Sequence, residues 1–127
     1  MKFALDNQEK YTVLSVMEKN LNTAVAPNLK SEFVILRNKG VENLILNLAD
    51  VEFVDSSGLS SILTAERLWK AEEGSFILTG VEHESVKKLI EITRLNSVLT
   101  IIPTLQESID YVLMEEIERE LNADNEE

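Results

Sequence analysis

Apolar positions in this chain follow two rhythms that alternate along it. Phe3–Leu5 and Tyr11–Met17 read as extended segments; in the second, Tyr11, Val13 and Ser15 alternate with Thr12, Leu14 and Val16. The polar stretch Asp6-Asn7-Gln8-Glu9-Lys10 between them has the size of a hairpin connection. After a loop at Glu18-Lys19-Asn20, helical spacing takes over. Ala26, Leu29, Phe33 and Leu36 form a stripe, Asn22 or Thr23 is the expected N-cap, and Pro27 falls in the first turn. Gly40 is the expected residue just past the helix end, near Lys39.

The densest signal is Asn43–Trp69. Leu44, Ile45, Leu46 and Leu48 make a run of strand length, suited to burial on both faces of a parallel sheet. Asp55-Ser56-Ser57-Gly58 interrupts it, and Leu59, Ile62, Leu63, Ala65, Leu68 and Trp69 then recur at helical spacing. Ser75–Leu78 is another strand, Glu82–Thr93 a helix with Val86, Leu89 and Ile90 inward, and Val98–Ile102 a last strand stopped by Pro103. Thr104 with Glu107 is a capping-box pair opening a final helix, whose expected inner stripe is Leu105, Ile109, Val112 and Leu113. Beyond Leu121 nothing remains to bury, and that end is expected to lack order. Phe33, Phe53, Phe76 and Trp69 are spaced as core residues. The predicted order is β-β-α-β-α-β-α-β-α: one α/β domain with a mixed, mostly parallel sheet and about four helices.

Charge alters this picture at one end only. The chain of 127 residues carries a net charge of −11. From Glu115 onward, Glu115, Glu116, Glu118, Glu120, Asp124, Glu126 and Glu127 face a single base, Arg119, so this segment supplies −6 of that total. Such a surface repels nucleic acid. The acidic end reads as a solvated extension, or more sharply as an arm that docks on a basic partner. No apolar run reaches the roughly 20 residues of a membrane helix, and a charge interrupts the N-terminus too early for a signal peptide. A soluble, cytoplasmic protein without membrane association is expected.

Catalytic chemistry finds little support. With no cysteine and a single histidine, His83, there is no basis for a thiolate or shared-histidine metal site. The serines lack the flanking glycines of a hydrolase elbow. There is no G-x-G-x-x-G and no Walker lysine, so no cofactor is expected. The chain reads as a binding protein rather than an enzyme.

The remaining chemistry lies in the polar break. Asp55, Ser56 and Ser57 all suit a helix N-cap, a role worth about 1 kcal/mol. Four cap-competent residues in a row, Asp55-Ser56-Ser57-Gly58, exceed what one cap needs. A phosphate on Ser56 would meet the amide donors and positive dipole end of the helix. It would also place roughly −2 charge beside Asp55, opposing any partner docked there.

The stretch Val54-Asp55-Ser56-Ser57-Gly58-Leu59, following the strand Leu44–Leu48, resembles the signature of STAS domains, and specifically of bacterial anti-anti-sigma factors (anti-sigma factor antagonists). Leu21-Asn22 with Ala26 and Leu29 resembles the start of that family's first helix, with Asn22 where the family usually has aspartate. The resemblance implies a STAS domain over residues 1–114 and an acidic extension over 115–127. It implies Ser56 as phosphoacceptor, with Asn22, Asp55, Ser57, Gly58 and Leu59 around it in the partner-binding surface. It further implies a partner-switching cycle. The unphosphorylated protein binds an anti-sigma factor, a serine kinase of histidine-kinase-like ATPase fold, and so frees a sigma factor for transcription. The kinase phosphorylates the serine and breaks the complex, and a serine phosphatase resets it. The alternatives are a STAS partner-switching or scaffold module in another signalling pathway, and a STAS domain that binds a small ligand or nucleotide.

Overall fold

The computed structural model describes the backbone of residues 1–125 and the side chains of residues 1–123. In chain order the elements are β1 (Phe3–Asn7), β2 (Thr12–Val16), β3 (Asn20–Leu21), α1 (Ala26–Asn38), β4 (Asn43–Asn47), β5 (Phe53–Val54), α2 (Ser56–Ala71), β6 (Ser75–Thr79), α3 (Glu84–Thr93), β7 (Thr100–Ile102) and α4 (Leu105–Asn125). The main sheet has the order β1-β2-β4-β6-β7. β1 and β2 form an antiparallel hairpin and every other pairing is parallel. The expected class, order and number of helices are thus observed, with one addition. β3 and β5 pair in parallel as a separate two-stranded sheet.

Alternation along the central strands divides the core in two. Leu44, Leu46 and Leu48, with Leu14, Phe76 and Leu78, face a large cluster that takes in Leu29, Phe33 and Leu36 of α1, Ile62, Ala65 and Trp69 of α2, and Val86 and Ile90 of α3. Ile45, Val13 and Ile77 face the other way, onto Val112 of α4. Three helices therefore cover one face of the sheet and α4 covers the other. A one-residue slip in β4 would exchange the two sets.

Several expectations need correction. α1 begins at Ala26 rather than near Asn22, and its N-cap, Val25, makes no side-chain cap bond. Asn22 instead turns the preceding loop: its carbonyl accepts from Val25 N and Ala26 N, and its side chain from Ala24 N. Phe53 is 51% exposed, because two-residue β5 lies outside the main sheet. Val98 is exposed and precedes β7. In α4, Leu105 and Leu113 are exposed, whereas Ser108 and Val112 are fully buried. Thr104 caps α4 by accepting from Glu107 N, as expected, but among the described residues Glu107 does not return the reciprocal bond of a capping box. The helix continues past Leu121 to Asn125, and the remainder of the expected disordered end, Glu126 and Glu127, lies outside the described residues.

Polar groups explain how α4 is fastened when only Ile109 and Val112 of the predicted stripe pack inward. Asn43, fully buried at the start of β4, accepts from Arg119 Nη2 at 2.7 Å and donates to Glu116 Oε2 at 3.0 Å and to Lys10 O. Arg119 also donates to Glu116 (2.8 Å) and to Ser75 Oγ (3.1 Å), and Ser75 donates to Glu115. The hydrogen bonds from Arg119 and Asn43 hold the Glu116 carboxyl below the usual glutamate range. A depressed carboxyl contributes stability that is present above its unfolded pKa, about 4.3, and is lost as pH falls through the folded value. Replacing Arg119 with Met should lower stability at pH 7 by about 1–3 kcal/mol, since buried acceptors lose a charged donor. It should also flatten the acid limb. Urea titrations between pH 3 and 7 would read both effects; a wild-type acid limb in the variant would remove Glu116 from the account.

Candidate functional site

The small β3–β5 sheet assembles the site. Its register pairs Asn20 with Phe53 and Leu21 with Val54. Lys19 O accepts from Glu52 N and Phe53 N, and Leu21 O from Asp55 N at 3.2 Å. Ser85 at the start of α3 donates to Glu52 O. These bonds lay the Asn22–Thr23 turn beside the Asp55–Ser57 turn, two segments more than thirty residues apart along the chain.

The start of α2 resolves which residue caps it. Asp55 is the N-cap, in extended conformation, and its side chain accepts from Gly58 N at 2.9 Å. Leu59 N donates to Asp55 O. Gly58 takes no capping role of its own beyond that amide. It is buried, and a Cβ there would collide with Leu21 O and come within 2.8 Å of Leu21 Cγ. The close approach of α2 to β3 requires its missing side chain. Gly58→Ala should therefore destabilise the fold by about 1–3 kcal/mol, overpacking outweighing the alanine helix preference of about 1 kcal/mol. Denaturant midpoints would measure it, and an unchanged or raised midpoint would mean that Leu21 yields at no cost.

The serines of α2 differ in what their hydroxyls do. Ser57 Oγ lies 3.2 Å from Thr23 Oγ1. Ser60 Oγ accepts from Lys30 Nζ at 3.3 Å, and Ser61 donates to Gly58 O at 2.6 Å. Ser56, exposed in the first turn, has no side-chain hydrogen bond among the described residues. Ser56, Ser57 and Ser60 line a shallow depression of about 270 Å³ with Thr23, Ala26, Pro27 and Lys30. Among the described residues its only cation is Lys30 of α1.

The structure thus brings Asp55, Ser56 and Ser57 to one surface, with Asn22 adjacent and half-buried. Leu59 is half-buried and Gly58 lies beneath. Thr23, Lys30 and Ser60 belong to the same depression, and sequence reasoning did not single them out for it. Helical spacing on α1 and α2 could have placed Lys30 and Ser60 outward, but not opposite each other. Among the described residues no group of His, Cys, Asp or Glu side chains could hold a metal ion, and no helix is long and apolar enough to cross a membrane.

The chain as a whole has clear counterparts. The STAS domain model matches residues 3–108, and the chain belongs to that family. Among its relatives, a Thermotoga neapolitana protein named as a candidate anti-sigma factor antagonist is 31% identical over 101 residues, covering 79% of this chain and 88% of the relative. The crystal structure of the corresponding Thermotoga maritima protein superposes with a TM-score of 0.76 at 28% identity, covering 87% of this chain and 93% of that one. The Bacillus anti-sigma factor antagonist SpoIIAA shares the fold at 23% identity. Its TM-scores are 0.74 in the unphosphorylated form and 0.69 in the phosphorylated form, covering 87% of this chain and 96% and 99% of SpoIIAA.

Proposed function

We propose that this chain is an anti-sigma factor antagonist, switched by phosphorylation of Ser56. The observation that carries the reading is the contrast among the serines of α2. Ser57, Ser60 and Ser61 engage their hydroxyls with Thr23, Lys30 and Gly58, while the exposed Ser56 hydroxyl has no partner among the described residues.

In its unphosphorylated state the chain binds its partner, an anti-sigma factor with serine kinase activity and a histidine-kinase-like ATPase fold, and thereby frees a sigma factor. The docking surface is the Asp55–Ser57 turn with Asn22 and Thr23 beside it. The exposed Phe53 ring, two residues before Asp55, adds an aromatic anchor of the kind interfaces use. The Ser56 Oγ attacks the γ-phosphorus of the partner's ATP, forming the phosphoester, releasing ADP and giving up the hydroxyl proton. Asp55 is turned to Gly58 N, so the base for that proton comes from the partner. This chain is substrate and regulator, and the catalyst is the kinase. The phosphate lies next to the free amides at the start of α2, so the fold tolerates it. Its charge of roughly −2 next to Asp55 opposes the docked partner. A serine phosphatase hydrolyses the ester and restores binding.

The test is to incubate the purified chain with its anti-sigma factor and Mg-ATP, map the phosphate by mass spectrometry and follow the complex by size-exclusion chromatography. The expected result is a single phosphate on Ser56 and loss of the complex. Phosphate on Ser57 or Ser60 instead, or a complex that survives full modification, would overturn the assignment.

A further inference from the structure

The outward side of α4 carries an apolar surface that no part of the described chain covers. Met114 is 59% exposed, Ile117 51% and Leu121 57%, with Leu113 exposed beside them. At 3.6 residues per turn these four positions fall within roughly 100° of the helix circumference. Spacings of three and four between Met114, Ile117 and Leu121 are those of a helix-pairing seam. The helix is held firmly from behind. Val112 is buried in the sheet, and Arg119 and Glu116 are locked to Asn43 and Ser75. The stripe is therefore presented in a fixed orientation, which lowers the ordering cost of binding. All four positions also lie beyond residues 3–108, the part matched by the STAS model.

The charges around the stripe identify its partner. Asp110 sits within the same arc, Glu118 and Glu120 bound it on either side, and Glu107 lies one turn toward the helix start, all four exposed. Glu120 forms an exposed ion pair with Lys10. The only basic residue of α4, Arg119, points inward to Glu116. A second copy of this helix would set acids against acids, with Lys10 beside them already paired to Glu120, and an anionic membrane would be repelled. We infer that the outer face of α4 is a docking site for a basic amphipathic helix of a partner protein, its apolar side on Met114, Ile117 and Leu121 and its lysines or arginines over Asp110, Glu118 and Glu120. This face lies across the sheet from the Ser56 turn, so the chain can hold two partners at once.

The probe is a synthetic 18-residue leucine–lysine peptide with heptad-spaced leucines, titrated calorimetrically into the full chain. A peptide of the same composition in scrambled order serves as control. The expected result is one-to-one binding that weakens with salt, with the scrambled peptide at least about tenfold weaker. Met114→Ser with Ile117→Ser should weaken binding by at least about tenfold. Asp110→Asn with Glu118→Gln should reduce both affinity and its salt dependence. All four positions face solvent, so thermal melts should stay close to wild type. Ser56→Asp should leave peptide affinity unchanged. No binding by the wild type, equal affinity for the scrambled peptide, or indifference to the Met114/Ile117 pair would overturn the inference. So would sedimentation showing a dimer that Ile117→Ser dissociates, since the face would then be occupied by a second copy.

Discussion

Replacing Trp69 with alanine is expected to cost about 3–5 kcal/mol, a large part of the 5–15 kcal/mol that holds a domain of this size together. Trp69 is fully buried on α2, where it joins three elements. Its indole meets the Phe33 ring of α1 edge-on, with centroids 6.1 Å apart, and the Phe76 ring of β6 at 6.3 Å. Phe33 and Phe76 also meet edge-on at 6.3 Å. Truncation removes one corner of this triangle and leaves a cavity between helices tied to the sheet at other points, so collapse is incomplete. The lost hydrogen bond adds less. Trp69 Nε1 donates to Val41 O at 3.0 Å, but Arg37 donates to the same carbonyl, which keeps a partner. Trp69→Phe should therefore recover most of the loss. Since Trp69 is the only tryptophan, urea unfolding should be followed by circular dichroism rather than fluorescence. A loss below about 1 kcal/mol for the alanine variant would mean that Phe33 and Phe76 close the gap.

Where burial alone decides structure, the sequence was easy to read. The α1 stripe Ala26, Leu29, Phe33 and Leu36 is the set buried on that helix, because apolar spacing and packing agree there. The run Leu44–Leu48 is a central strand, because only a doubly covered strand accepts so little polarity. In α4 the same reasoning misplaced Leu105 and Leu113. Its inner side from Glu115 to Arg119 is polar and bonded to Asn43 and Ser75, partners distant in sequence that no periodicity displays. Phe53 was misread for a related reason. β5 is held by backbone bonds to Lys19 and by pairing with β3, and such bonds leave no hydropathy pattern. At the site, Ser56 and its neighbours were legible from local composition at a helix start. That Asp55 is the cap, that Gly58 is a spacer against Leu21, and that Lys30 lies across from Ser60 depend on how α1, α2 and β3 meet.

Ser56→Asp should separate stability from binding in opposite directions. Ser56 is the first residue of α2, next to the cap. An acidic residue in the first helical turn interacts favourably with the helix dipole, by about 0.3–1 kcal/mol at an exposed site, partly offset here by the neighbouring Asp55 carboxylate. The melting temperature should therefore hold or rise slightly. Binding should behave otherwise. A partner docked on the turn would cover the new carboxylate and Asp55 together, and like charges forced into a desolvated interface cost several kcal/mol, equivalent to at least about a hundredfold loss of affinity. Ser56→Ala removes a hydroxyl with no intramolecular partner among the described residues, so it should keep its stability to within about 0.5 kcal/mol, keep affinity within about threefold and resist phosphorylation. The helix start would thus give the proposed switch its main physical property: the charge that would end the complex is one that the fold itself accommodates. Calorimetric titration of both variants against the anti-sigma factor, alongside thermal melts, reads both quantities. If Ser56→Asp lost affinity only in proportion to a lowered melting temperature, unfolding would explain the result and the interface account would fail. If it bound like wild type, the turn would lie outside the interface.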